Sequence, residues 1–329
     1  MMVRICVLTN AKSGHNRKGL ARLAARLSAY GAVTHYVTRS PEEARALMPV
    51  LYDAAPDVVI INGGDGTISA TLGLMLEHWR AETLPLVMLL PGGTSNMTAG
   101  DIGLASSPAR ALDRVCRWLD AGAPLEGGDI RSRHIMRVTG AADGAVRYGM
   151  FLGTGAIMQA TRFAHDKVHS RGLRGEWSLG LTLIRTLWGL VRQDRRFYQP
   201  TPVGLALHRP ETPPVCRAEA PMIILVASTL DRLFLGMRPF WAQESGSIGL
   251  TAIRGGAERF GRTILSVLRG RLNRHTTPGN GYESFRTERI EMYLDGELNL
   301  DGELFMTGGG QTPLVVSVEG PIRFLRPPQ

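Results

Sequence analysis

Cysteine is scarce in this sequence: Cys6, Cys116 and Cys216 are far apart and odd in number. Neither a disulfide framework nor a zinc cluster can be built from that set, so three buried, inert thiols are expected. Lysine is scarcer than arginine throughout and occurs only at Lys12, Lys18 and Lys167. No apolar run approaches the ~18 residues that a membrane-spanning helix requires. The opening stretch MMVRICVLTNAKSGHNRKG has no secretory apolar region and no small-residue cleavage site, which leads us to expect a cytoplasmic protein. The common nucleotide fingerprints are missing too, with no GxxxxGK(S/T) and no GxGxxG after a strand.

What is present suits a two-domain globular chain: 329 residues, 44% hydrophobic and 20% charged. The net charge of +9 calls for an anionic partner. That charge is local. Eight Arg or Lys face three acids between Arg162 and Arg196, and six Arg face Glu258 alone between Arg254 and Arg274.

Apolar runs at 3–8, 32–37, 57–61 and 84–90 alternate with helical stretches near 17–29, after Ser40-Pro41, at 67–79 and at 107–121. This is the pattern of a parallel sheet covered on both faces, a doubly wound, Rossmann-like α/β domain over residues 1–126. From Gly127-Gly128 onward, short alternating segments separated by Gly, Pro and Asp predict a mainly antiparallel β domain over 127–329, whose last strands are free to pack back onto the first domain. Helical inserts are expected near 176–193 and 257–270, and the five prolines between 199 and 220 suggest a surface loop.

Three strand-to-helix loops of the first domain combine glycine with Ser, Thr or Asn: TNAKSGHNRKG (9–19), NGGDGTIS (62–69) and PGGTSNMTAGDIG (91–103). In a parallel sheet such loops share the carboxyl edge, where ligands bind. Glycine permits close approach and positive φ, and free amides at helix starts bind anions. Asp65 sits in the middle of this cradle and would repel a polyphosphate unless a divalent cation lay between them. Mg²⁺ bound to one carboxylate and to ATP phosphates answers the conflict. The plainer alternative is that Asp65 caps the helix that follows, with Thr67 in its first turn.

The GGDGT at 63–67, the Gly-Thr-Ser-Asn at 93–96 and Asn10 with Ser13-Gly14 together resemble the diacylglycerol kinase catalytic domain family, which includes bacterial lipid kinases and sphingosine kinases. The resemblance extends to a C-terminal Asp-Gly-Glu, present here twice, at 295–297 and 301–303. It implies ATP held by Asn10, Ala11, Lys12, Ser13 and Gly14, by Thr38, by Gly63, Gly64, Asp65, Gly66, Thr67, Ile68 and Ser69, and by Gly93, Thr94 and Asn96, with Mg²⁺ on the ATP near Asp65. It also implies that Asp301 and Glu303 serve the acceptor hydroxyl, with Asp295 and Glu297 as the fallback pair. The function implied is transfer of the γ-phosphate to a lipid alcohol, diacylglycerol-like or sphingoid. NAD kinase, which shares GGDGT, and a non-catalytic nucleotide- or nucleic-acid-binding protein on the same fold are the competing readings. Two departures stand out. Met97 follows Asn96 where the family carries Asp, and Ser245-Gly246 stands where a second, structural Mg²⁺ would need Asp-Gly.

His165 and His169 have the spacing of a helical zinc pair but lack the glutamate base, and a solvated basic face is the expectation. Residues 177–191 carry an apolar stripe at 177, 181, 184, 188 and 191 among arginines. Two readings stay open: a helix buried against the β domain, or one lying at an anionic membrane surface on the inner face of the membrane. Nucleic acid would suit the charge but is not expected, and a homodimer is compatible with the sequence.

Overall fold

The computed structural model describes residues 3–104, 107–171, 176–310 and 312–328. The chain divides into two units, residues 1–134 with 320–329, and residues 135–319. The division falls after His134 rather than at 126, inside a strand that serves both units.

The first unit runs β1 (Ile5–Asn10), α1 (Asn16–Leu27), β2 (Val33–Thr38), α2 (Pro41–Asp53), β3 (Val58–Gly63), α3 (Asp65–His78), β4 (Leu86–Pro91), α4 (Met97–Ile102) and α5 (Pro108–Asp120). Its strands pair in parallel in the order β2, β1, β3, β4. Every residue of β3 and β4 is buried, which explains why they read as unbroken apolar runs rather than alternations. Ile5, Val7, Val58, Ile60 and Met88 pack with Leu23 and Leu27 of α1 and Leu112 and Val115 of α5. The alternate residues Leu8, Val59, Ile61 and Leu89 are equally buried, and α2 and α3 pack against one another and against strands β2 and β3. The Ser40-Pro41 signal is realised: the Glu43 amide donates to Ser40 Oγ at 3.2 Å, and the proline opens α2. The short α4 was not anticipated.

Then follow β5 (Asp129–Thr139), shared between the units, β6 (Arg147–Gly149), β7 (Phe151–Gly155), α6 (Ala156–Arg171), α7 (Glu176–Val191), β8 (Thr201–Arg209), β9 (Thr212–Ser228), β10 (Ile248–Arg254), α8 (Phe260–Leu268), β11 (Tyr282–Thr287), β12 (Arg289–Tyr293), β13 (Glu297–Leu300), β14 (Glu303–Met306) and β15 (Leu314–Arg326). Within the second unit the pairing is antiparallel and runs β14, β13, β7, β9, β8, β12 and the first half of β15, with β10 and β11 branching from β9. Leu152, Leu205, Leu225, Leu250, Ile290 and Leu298 are among its core residues. The end of β15 belongs to the first unit, where Phe324 pairs in parallel with Val87. The sequence thus folds as expected, an α/β unit followed by an antiparallel one.

Two expectations are corrected. The proline-rich segment 199–220 is no loop but the β8–β9 hairpin. Its prolines sit where a missing N–H does no harm: Pro202 near the start of β8, Pro210 at the turn, and Pro213 and Pro214 in the stretch of β9 that pairs only with β8. Of the three thiols, Cys6 and Cys116 are buried but Cys216 is exposed on that same hairpin. Burial raises the Cys6 thiol above its ordinary value, the behaviour of an inert thiol.

Candidate functional site

The register of the parallel strands brings the three glycine loops to one edge. Asn10 lies level with Thr38, Thr9 with Asn62, and Gly63 with Pro91, so each loop leaves the sheet at the same height. Side chains then stitch the strand ends together. Asn10 Nδ2 donates to Thr67 Oγ1 at 2.8 Å, while its Oδ1 accepts from the Lys12 amide at 2.9 Å. Buried Asn16 donates to the carbonyls of both Asn10, at 2.9 Å, and Asn62, at 3.2 Å. The Ala11 amide donates to the Thr38 carbonyl at 2.9 Å. His15 faces the third loop, its amide 3.0 Å from the Gly92 carbonyl and its Nδ1 2.6 Å from that of Gly93. A carbonyl only accepts, so the His15 ring carries its proton on Nδ1.

The glycines perform a different task from the one their pattern suggests. None of Gly14, Gly63, Gly64, Gly66, Gly92 or Gly93 has positive φ. What they permit is contact between loops. A Cβ on Gly93 would lie 2.4 Å from the Gly64 Cα, and one on Gly92 would lie 2.7 Å from Asn62 Oδ1. A Cβ on Gly14 would stand 3.0 Å from Thr94 Oγ1, so the first and third loops meet as well. The second and third turns lie backbone against backbone.

Asp65 belongs to this same contact. It is only 4% exposed, and both carboxylate oxygens accept hydrogen bonds from the third loop. Oδ2 takes Ser95 Oγ at 2.5 Å and the Met97 amide at 3.1 Å; Oδ1 takes the Thr98 amide at 2.8 Å. Met97 and Thr98 open α4, whose own preceding residue, Asn96, supplies no cap. Asn96 is in the left-handed region with φ 46°, and its amide group clamps Gly93, accepting from N at 2.8 Å and donating to O at 2.9 Å. Asp65 therefore does cap a helix, but the one that starts thirty-odd residues later rather than its own. The carboxylate has a reason to sit in a cradle of amides, and that reason is α4.

Three donors take three of the roughly four lone-pair positions of the Asp65 carboxylate, and the side chain is buried, which makes it a poor direct ligand for Mg²⁺. Among the described residues no group of three or more His, Cys, Asp or Glu could hold a metal ion. Phosphate is another matter. The N-cap of α3 is Gly64, with no side-chain cap, and the amides of Gly66 and Thr67 have no backbone acceptor among the described residues. Such a helix start is an anion site. Lys12 is exposed in the adjoining loop, where Arg17 Nε donates to the Lys12 carbonyl at 3.1 Å.

Of the residues the sequence proposes for this site, Asn10, Ala11, Lys12, Ser13, Gly14, Thr38, Gly63, Gly64, Asp65, Gly66, Thr67, Gly93, Thr94 and Asn96 all lie on the shared edge. Ile68 and Ser69 follow inside α3, and both are buried. Ile68 is buried in the core with its amide bonded to the Gly64 carbonyl, and Ser69 is buried one residue further into α3. His15, Asn16, Asn62, Gly92 and Ser95 were missed. All five stand inside the three quoted loops, so their place in the chain was a usable signal.

The two Asp-Gly-Glu copies, both in the second unit, are treated differently. Asp301 has φ 49°, and its carboxylate accepts from the amides of Met150 at 3.0 Å and Phe151 at 2.9 Å, which fixes it in place. Glu303 is exposed. In the other copy Asp295 is exposed at the turn after β12, and Glu297 pairs with Arg162. The side chains of His165 and His169 lie outside the described residues.

Residues 4–120, a stretch that lies within the first unit, match the family profile of the diacylglycerol kinase catalytic domain. Among solved structures, a candidate diacylglycerol kinase from Bacillus anthracis strain Sterne is similar with a TM-score of 0.66 at 16% identity, covering 98% of this chain and 96% of that one. A crystal structure described as a diacylglycerol kinase from the same strain gives 0.64 at 16% identity, over 98% and 96% of the two chains. The likeness establishes a shared fold across nearly the whole length. No curated protein matches the chain.

Proposed function

We propose, on the basis of a diacylglycerol kinase catalytic domain at residues 4–120, that this protein is an ATP-dependent lipid kinase acting on the hydroxyl of a diacylglycerol-like or sphingoid lipid. The observation that carries the reading is the junction of the three loops, which leaves the α3 amides and Lys12 open beside a rigid glycine contact. There the triphosphate is held by the backbone of Gly64 to Thr67, by Asn10 to Gly14 and by Thr94. Phosphoryl transfer asks little covalent chemistry of a protein; it asks for positioning, charge neutralisation and an acceptor for the hydroxyl proton. The lipid oxygen bonds to the γ-phosphorus, the bond to the bridging β–γ oxygen breaks, and ADP leaves. The hydroxyl proton goes to a carboxylate of an Asp-Gly-Glu. We assign that role to Asp301, which the amides of Met150 and Phe151 hold in place at a half-buried turn. Asp65 is assigned to holding the third loop and α4, with no ligand role toward magnesium.

The test is a lipid-library assay with γ-labelled ATP and product identification by mass spectrometry, with NAD as a parallel acceptor. Label in a lipid phosphate, and none in NADP, is the expected outcome. Label in NADP, or ATP turnover on no lipid, would overturn the assignment.

A further inference from the structure

Helix α7 is apolar on its exposed side as well as on its buried one. A surface helix ordinarily turns its apolar stripe toward the core and its polar face outward. Here the residues buried on the inner side are Thr182, Thr186, Gly189 and Leu190, with Leu187 packed half-buried beside them. Thr186 Oγ1 is satisfied within the helix by the Thr182 carbonyl at 2.8 Å, and Gly189 lies against the Phe197 ring. Leu181, Ile184, Trp188 and Val191 point out and are 59%, 65%, 55% and 45% exposed. They recur at helical spacing over ten residues, about 15 Å along the axis. Single exposed apolar residues need no explanation; a continuous exposed stripe, on a helix that already buries Leu190 and packs Leu187 on its other side, does.

The patch continues beyond the helix end. Gly261 of α8 approaches Val191, where a Cβ would stand 3.2 Å from the valine Cγ1, and Leu265, one turn further along the same face of α8, is 50% exposed. Leu190, Val191, Ile223 and Phe260 line a cavity of about 410 Å³ with Arg259 and Arg262 at its wall. Arginine rings the whole face. Arg185 and Arg192 are exposed on and just after α7, Arg195 and Arg196 follow, and Arg262 and Arg269 flank Leu265. The Arg192 guanidinium lies 4.7 Å from the centroid of the Trp188 ring. The acids nearby in sequence are Asp166, Glu176, Asp194 and Glu258, against a larger number of arginines, and Asp194 Oδ1 already accepts from the Arg196 amide at 3.0 Å.

We propose that this face docks the protein onto a bilayer rich in anionic phospholipid. Leu181, Ile184, Trp188 and Val191 enter the acyl boundary, and the arginines meet the lipid phosphates, the arrangement of an interfacial helix with Trp at headgroup level. A second copy of the chain fits poorly, since pairing two such faces brings the arginine rings together with too few acids to offset them. Docking needs no ATP turnover, so the proposal stands or falls apart from the kinase reading.

The experiment uses the full chain and co-sedimentation with unilamellar vesicles of phosphatidylcholine alone or mixed about equally with phosphatidylglycerol. The wild type should pellet with the mixed vesicles, less so as salt rises, and stay in the supernatant with the neutral ones. Ile184→Ser with Trp188→Ser, and separately Arg185→Gln with Arg192→Gln, should each weaken partitioning by at least about tenfold. All four side chains are exposed, and circular dichroism confirms that each variant is folded. Failure of the wild type to bind the mixed vesicles, or binding indifferent to both pairs, would overturn the proposal. So would a concentration-dependent dimer dissolved by the Ile184 and Trp188 changes in a protein that ignores vesicles, which would give the face to a second copy.

Discussion

Asp65 in the α/β unit and Asp301 in the antiparallel unit are built alike and sealed differently. Each carboxylate holds two consecutive backbone amides from a distant part of its own unit, Met97 and Thr98 for one, Met150 and Phe151 for the other. Asp65 is buried and takes a third bond from Ser95, whereas Asp301 is half-buried at a turn. The same device thus serves two ends. Closed off from water, it locks one loop to another; left partly open, it keeps a carboxylate fixed yet accessible. Burial sets the two carboxylates apart: Asp65 holds the third loop, and half-buried Asp301 is the one we propose acts on the hydroxyl.

The comparison is broken most severely by Asp65→Ala. Two amides and a hydroxyl lose their acceptor in a buried place, which should cost about 2–3 kcal/mol of stability. If the nucleotide site depends on the locked loops, ATP turnover should fall by about two orders of magnitude or more. Urea unfolding and a kinase assay read both, and a stable, active variant would deny Asp65 its structural task. Asp301→Asn should move activity more than stability: a loss of at least about a hundredfold in kcat for about 1 kcal/mol of stability. Asp295→Asn is the control, expected within about 0.5 kcal/mol of wild type and close to it in rate. Should Asp295 prove the sensitive position, the roles of the two copies are exchanged.

A smaller effect comes from His35, whose Nε2 lies 2.9 Å from Thr9 Oγ1 below the site. Burial holds its imidazole below the ordinary value. The unfolded chain takes up a proton that the folded one resists, so stability present above about pH 6.5 declines as the pH falls through and below that value. Urea midpoints at about pH 7.5 and 5.5 should therefore differ more for wild type than for His35→Gln.

The α/β unit was legible because β3 and β4, buried on both faces, must be apolar throughout, and because Ser40-Pro41 announces a helix with two residues. The β8–β9 hairpin was not, since its prolines look like loop until the pairing places Pro213 and Pro214 in a stretch of β9 that pairs with β8 alone. Helix α4 escaped notice because six residues, among them Gly100 and Asp101, give no apolar period. The three loops could be found from composition alone. The partners of Asp65 could not, because Ser95, Met97 and Thr98 lie at least thirty residues away and two of the three bonds are to backbone amides, which carry no residue signature. The stripe at 181, 184, 188 and 191 was plain in the sequence; only burial could tell which way it faced.

The contact between Gly64 and Gly93 carries a consequence for anyone reshaping this protein. With no side chain between the two turns, neither can be re-tuned alone, since any added atom on one is transmitted to the other as a rigid displacement. Reshaping the edge would mean redesigning both turns together, as a single mechanical part made from two stretches of chain.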